Sequence, residues 1–346
     1  YQPDGMYPEG PGYWHYGTNF HVMLLAACRT LGRDVPDDPI LRKAGESIMH
    51  LSSPAGLCFN FADGNAGHST PTAAQCWLAA RYKDSAQAAY VRGVFSGALK
   101  DGGKGIAGDR HFPLALLWLP EAQAAPRLPN AAVYQGEQSM ALFRSGWDAK
   151  AAWLAIKGGT AAASHGHMDV GSFCYDAHGT RWIHDLGSEN YNLPAYFGNK
   201  RWTYFRLQNR SHNTLEIGGK LQNAKAKPCP IVSSAVTGNP LAARFDLTDA
   251  YAGSASKVIR SARFDSATGT TRIEDEITAP SGDVVWRAFT DAEAEIKGDT
   301  VTLTKKQGQI TLRRVTPEGT WSVTEAKPPT AEENQNKGFH AVVLTV

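Results

Sequence analysis

The sequence predicts an α+β protein in which a helical amino-terminal part precedes an antiparallel β-sandwich. Three observations carry that expectation. Residues 13–125 are rich in Ala and Leu, with apolar side chains at helical spacing. A Pro-, Ala- and Gln-rich stretch from Glu121 through Pro126 and Pro129 to Asn130 then breaks the periodicity. Beyond it, short alternating runs recur between turn signals up to Val346, the texture of a sandwich. The two parts are expected at residues 1–126 and 130–346.

Taking the elements in order, Thr18 or Asn19 is expected to cap a helix that runs to about Leu31, where Gly32 stops it. Asp37-Asp38-Pro39 opens a second helix, with Ile40, Leu41, Ala44, Ile48 and Leu51 on one buried face. Thr70-Pro71 offers a cap and a first-turn proline ahead of Ala74, Cys76, Trp77, Leu78 and Tyr82. Asp84 opens a fourth helix through Val94, and 113–119 forms a short fifth. Antiparallel helix pairs of this kind fit a bundle, a solenoid or a toroid. In the second part, 133–144 and 152–157 alternate as strands. Ser172–Asp176 and Arg181–Asp185 flank Ala177-His178-Gly179-Thr180, a two-residue hairpin signal. Ser281-Gly282-Asp283 and Lys297-Gly298-Asp299 mark later turns.

Bulk properties bound the function. The 346 residues suffice for two domains, and 42% hydrophobic with 20% charged residues excludes a disordered or fibrous chain. A formal charge of +2 gives no electrostatic footprint for nucleic acid. No apolar run is long enough to span a membrane, and none follows a basic start as a secretory signal would. The chain starts at Tyr1, so an upstream segment is expected to have been removed or to be absent. Cys28, Cys58, Cys76, Cys174 and Cys229 have no metal-type spacing and read as small buried side chains.

Four segments carry chemistry. Ser164-His165-Gly166-His167-Met168-Asp169, with Asp185 and the later Ser211-His212-Asn213-Thr214, brings together three imidazoles and carboxylates. Such a set serves as a proton-transfer group, a zinc site or a hydrogen-bonded His–Asp network. Pro8 through Tyr13-Trp14-His15-Tyr16-Gly17 is dense in aromatics and glycines. It reads as the wall of a sugar cleft or as core packing at the head of a helix. In Phe59-Asn60-Phe61-Ala62-Asp63-Gly64, local turn capping by Asn60 and Asp63 is the first reading and contact with sugar hydroxyls the second. Lys200, Arg201, Arg206 and Arg210 cluster after Asp185 and suit either a solvated face or a polyanion, with Trp202 as an aromatic neighbour.

These residues together resemble the heparinase II/III-like polysaccharide lyases. The matching pieces run in order from Pro3-Asp4-Gly5 to Tyr16-Gly17, then Phe59–Gly64, Arg144-Ser145-Gly146-Trp147, Ser164–Phe173, Asp185-Leu186-Gly187 and Ser211–Leu215. The resemblance implies an incomplete α/α toroid followed by an antiparallel β-sandwich, and β-elimination on an acidic polysaccharide. It implies His165 as the catalytic histidine, Tyr13 as the catalytic tyrosine with Tyr16 as its competitor, and His167, Asp185 and His212 as ligands of a structural Zn²⁺. Tyr191 and Tyr196 fall where aromatic residues line the family's cleft. Trp14, Lys200, Arg201, Trp202 and Arg206 are further expected substrate contacts.

The family's upstream Asn, His or Glu motif does not precede Tyr13. The toroid is therefore expected to be completed by a longer chain, a homodimer mate or a partner chain. Two rival readings remain: a non-catalytic carbohydrate-binding scaffold, and a zinc hydrolase with Asp169 activating water. A periplasmic or secreted location follows from the resemblance. Heparin or heparan sulfate, alginate and other uronate polymers are equally open as substrates.

Overall fold

The structure, a computed structural model, describes residues 1–346 apart from 2, 34, 37, 68–71, 101, 104–107, 122–127 and 317. Among the described residues, five α-helices come first: α1 Pro11–Thr30, α2 Pro39–Leu51, α3 Ala73–Arg81, α4 Ser85–Lys100 and α5 Phe112–Leu117. None of them is long and apolar enough to cross a membrane.

α1 begins earlier than expected. Pro11 occupies its first turn, where the missing N–H costs nothing and the ring pre-sets φ. Thr18 and Asn19 are consequently mid-helix and buried rather than caps of α1. Their side chains look outward to neighbours: the Tyr1 and Thr18 hydroxyls lie 2.8 Å apart, and Asn19 Oδ1 accepts from the Ala74 N–H at 2.8 Å. Asn19 thus caps the start of α3 from another helix. α2 starts as expected, with Asp38 accepting from the Ile40 N–H at 3.0 Å. The Thr70-Pro71 start lies outside the described residues, and so does residue 37; α3 is instead opened by a capping box of Thr72 and Gln75. Asp84 Oδ1 receives the Ala86 and Gln87 N–H groups and opens α4, which continues beyond Val94.

Strands β1 Ala131–Tyr134, β2 Met140–Arg144, β3 Trp153–Lys157, β4 Phe173–Ala177 and β5 Thr180–Ile183 form one antiparallel sheet in sequence order. The expected hairpin is present: β4 and β5 are joined by His178 and Gly179, with φ of 56° and 77°, the turn geometry that matches strand twist. The later strands are β6 Leu215–Ile217, β7 Ile231–Ala235, β8 Leu241–Asp246, β9 Lys257–Phe264, β10 Thr271–Thr278, β11 Val284–Thr290, β12 Glu293–Lys297, β13 Thr300–Lys305, β14 Gly308–Arg313, β15 Thr320–Glu325 and β16 His340–Thr345. They form three further antiparallel sheets, ordered β10-β9-β8-β7, β15-β16-β11-β6 and β12-β13-β14.

The strand region is thus parted among four sheets rather than the two of a simple sandwich. Alternation tells which side of a strand is buried, but not which strand pairs with it. Pairs such as β6 with β11, and β11 with β16, join segments remote in sequence. One core nonetheless runs through all four sheets, including Phe143, Trp182, Phe245, Phe264, Ala288 and Leu303.

The first sheet is buried on both faces. Ala141, Phe143, Leu154 and Ile156 join that β core. Met140, Leu142, Trp153 and Cys174 join the helical core around Trp14, Phe59, Phe61 and Leu78. Arg144 secures the junction: one guanidinium nitrogen donates to the carbonyls of His50 and Ser52 at the end of α2, each at 3.0 Å. The same group lies 3.7 Å from the centre of the Trp147 ring. This packing accounts for the Arg144-Ser-Gly-Trp147 piece of the sequence. Of the five free cysteines, all but the half-buried Cys28 are buried.

Candidate active site

Three loops meet beside the first sheet. Residues 59–64 follow α2, 163–172 join β3 to β4, and 184–214 join β5 to β6. Their close approach requires glycine at 187, with φ +71°; a Cβ there would stand 2.4 Å from the Gly64 carbonyl oxygen. Asn60 Nδ2 donates to the Asp185 carbonyl at 3.1 Å and draws the first loop to the third.

Asp63 is the hub. Its Oδ2 receives His165 Nδ1 at 2.8 Å and Arg201 Nη2 at 3.3 Å. Its Oδ1 meets His167 Nε2 at 2.8 Å and receives the Tyr196 hydroxyl at 2.6 Å. Burial by itself would raise the Asp63 pKa, but the His167 hydrogen bond and charge, the Tyr196 hydroxyl and Arg201 together hold it well below the usual carboxylate range. The reading of Asp63 as a local turn cap is therefore corrected: its side chain reaches across to two other loops.

Tyr13, from the first turn of α1, stacks on His165 with ring centroids 4.1 Å apart and planes at 24°. Its hydroxyl lies 2.9 Å from the Tyr191 hydroxyl, which is 3.4 Å from His165 Nδ1. Burial, the Tyr13 hydrogen bond and the Asp63 charge all raise the Tyr191 pKa. Tyr16 is exposed on α1 and its ring meets Phe20 instead. Of the two tyrosines considered from sequence, Tyr13 is the one placed against His165.

His167, Asp185 and His212 are also adjacent. The two imidazole centroids are 5.3 Å apart, and His212 Nδ1 lies 2.8 Å from Asp185 Oδ2. Ser172 Oγ and the Gly187 N–H also donate to that carboxylate. Burial lowers the His212 pKa, but Asp185 more than offsets it, so the net shift is upward. For His167 burial prevails, with help from His212, and the net shift is downward despite Asp63. Among the described residues, no three His, Cys, Asp or Glu side chains are arranged as a metal cage. Yet His167 Nδ1 and His212 Nε2 are both buried without a hydrogen-bond partner among those residues.

Several expected substrate contacts are placed elsewhere. Trp14 is fully buried in the helical core, because α1 turns that face toward Phe59 and the first sheet. Tyr196 is buried, with its hydroxyl on Asp63. Arg206 is buried and donates to Asn336 Oδ1 and the Ser188 carbonyl at 2.7 and 2.6 Å. Arg210 pairs with Glu216 and donates to the Gly219 carbonyl. Arg201 is mostly buried and divided between Asp63 and the Gly166 carbonyl. Lys200, Tyr191 and Phe197 are exposed, while Trp202 is half-buried. Phe197, unforeseen from sequence, lies nearly perpendicular to His165, with ring centroids 5.9 Å apart. The sequence signal that could have found it is its place directly after Tyr196.

The Tyr13–His165 pair lies where α1 and the loops beside the first sheet meet. The chain belongs to the heparinase II/III-like family, whose C-terminal domain matches residues 139–341. It is similar in fold to a heparan sulfate lyase, HepC from Pedobacter heparinus, with 15% identity and a TM-score of 0.70 over 99% of this chain and 50% of that one. It is also similar to heparinase III, at 17% identity and a TM-score of 0.65 over 100% of this chain and 55% of that one. The heparinase III BT4657 gene product gives 17%, 0.65, 100% and 53% in the same order. The chain therefore spans about half the length of the solved relatives it matches. No curated protein matches it.

Proposed function

We propose that this protein is a polysaccharide lyase that cleaves an acidic, uronate-containing polysaccharide by β-elimination and leaves an unsaturated uronate end. The observation that carries the reading is the stack of Tyr13 on His165, with the Tyr13 hydroxyl joined to that of Tyr191. Family membership supports it. In such a reaction the uronate carboxylate is neutralised, a base removes the C5 proton, the C4–O4 bond breaks and an acid protonates O4. Tyr13 serves one or both transfers; His165 serves the other or activates Tyr13. Lys200 and the exposed faces of Tyr191 and Phe197 flank the sugar chain. Mixing the protein with heparan sulfate or alginate should raise the ultraviolet absorbance of unsaturated uronate. New reducing ends without that absorbance would indicate hydrolysis and defeat the reading.

Zinc belongs to the same proposal. Two buried imidazole nitrogens without partners among the described residues, beside a carboxylate, suit Zn²⁺ in donor chemistry. His167, His212 and Asp185 would hold it, and its contribution would be structural, bracing the loop that carries His165.

We read the five helices as part of an incomplete α/α toroid. Tyr16, Phe20 and Leu24 form an exposed stripe along α1, suited to further helices from a longer chain, a second copy or a partner. A non-catalytic sugar-binding role is the second reading, favoured by the half-length match to the solved relatives. Action in the periplasm or outside the cell accords with a polymeric substrate.

A further inference from the structure

We propose that Asp63 is the positioning residue of the site: one carboxylate sets the tautomer of His165 through one oxygen and that of His167 through the other. Its kinetic consequence rests on the lyase reading; the tautomers themselves do not.

A carboxylate offers about four acceptor positions. Among the described residues, four side-chain donors surround Asp63: His165 and Arg201 on Oδ2, His167 and Tyr196 on Oδ1. Arg201 and the Tyr196 hydroxyl compensate the charge of a side chain fully removed from solvent. An ionised carboxylate only accepts hydrogen bonds, so each ring nitrogen facing it must carry a proton. His165 then holds a proton on Nδ1 and a lone pair on Nε2. His167 holds one on Nε2, which leaves its lone pair on Nδ1, without a hydrogen-bond partner among the described residues. Tyr191 is the other group near His165 Nδ1, but at 3.4 Å against 2.8 Å it is second to Asp63.

The backbone enforces the same contact. The Asp63 N–H donates to the His165 carbonyl at 3.1 Å. Ala62 and His165 both take φ of +58°, a left-handed conformation that non-glycine residues adopt at a cost. Two loops strained at the point where they meet are the mark of a contact held by its surroundings. A carboxylate that fixes an imidazole in this way keeps one nitrogen free for proton transfer without taking the proton itself.

The test is long-range proton–nitrogen NMR of the full protein labelled at histidine, recorded on the alkaline side of the imidazole titration. His165→Gln and His167→Gln spectra assign the signals. The expected result is a protonated Nδ1 on His165 and a protonated Nε2 on His167; the opposite tautomer at His165 overturns the proposal. Asp63→Asn should lose the His165 pattern and lower kcat by about 10²–10⁴-fold with KM changed by no more than about threefold. An unchanged His165 tautomer in Asp63→Asn also overturns it. If that variant does not fold, the wild-type spectrum decides alone. Expected tautomers without any elimination would sink the lyase reading and leave Asp63 standing; reversed tautomers in an active enzyme would do the converse.

Discussion

His165 and Tyr13 lie face to face, so they should act as one unit. His165→Ala and Tyr13→Phe are each expected to lower kcat by about 10²–10⁴-fold, and the double variant by little more than either alone. Tyr16→Phe should stay near wild type, because Tyr16 meets Phe20 and solvent. Activity retained in both single variants would remove this pair from the mechanism. A second expectation at this scale concerns stability. Burial, aided by Arg144, lowers the His50 pKa from 6.5 to about 3. The unfolded chain therefore binds a proton at His50 that the folded one refuses between those two values. Stability from this group is fully present above pH 6.5 and declines as the pH falls. At pH 5 the loss is about 2 kcal/mol. Urea denaturation at pH 7.5 and 5.0 measures it, and His50→Gln should reduce the difference. An equal pH response in that variant would assign the effect to other groups.

At the scale of elements, the site stands on the contact between α1 and the first sheet. Trp14 is the buried anchor of that contact, and Trp14→Ala should cost about 3–5 kcal/mol in urea denaturation. A loss under about 1 kcal/mol would mean that Trp14 is not packed as described. Asn19→Ala removes the side chain that caps α3 from α1 and should cost about 1 kcal/mol. Local signals made the strongest elements legible. Asp38 at α2, Asp84 at α4 and His178-Gly179 at the hairpin act through neighbouring backbone groups, so a short window of sequence contains the whole interaction. Asn19 escaped for the opposite reason: its partner, the Ala74 N–H, belongs to another helix.

For the whole molecule, the expected zinc can be tested without turnover. Elemental analysis of protein prepared without chelators should find about one zinc per chain, and chelation should lower the unfolding temperature. Metal-free protein with an unchanged melting temperature would withdraw the metal. Binding of an acidic polysaccharide should weaken as salt rises. The dependence should be shallow, because Arg206 and Arg210 are committed to protein partners and Lys200 is the exposed cation of that run. The proposed linker at 121–130 lies largely outside the described residues.

The sequence by itself determined that helices precede antiparallel strands, the family, and which histidines, aspartates and tyrosines were candidates for the site. These depend on periodicity, capping and motif, all of which are short-range or positional. Only the tertiary structure decided which of those groups touch. It drew Tyr13 to His165 and left Tyr16 facing outward, buried Trp14 and Arg206, and parted the strands among four sheets. Above all it placed Asp63 between His165 and His167, across more than a hundred residues of chain. Polar side chains in loops have no periodicity to reveal their partners. Their hydrogen bonds exist only once packing has removed water and brought distant segments within reach.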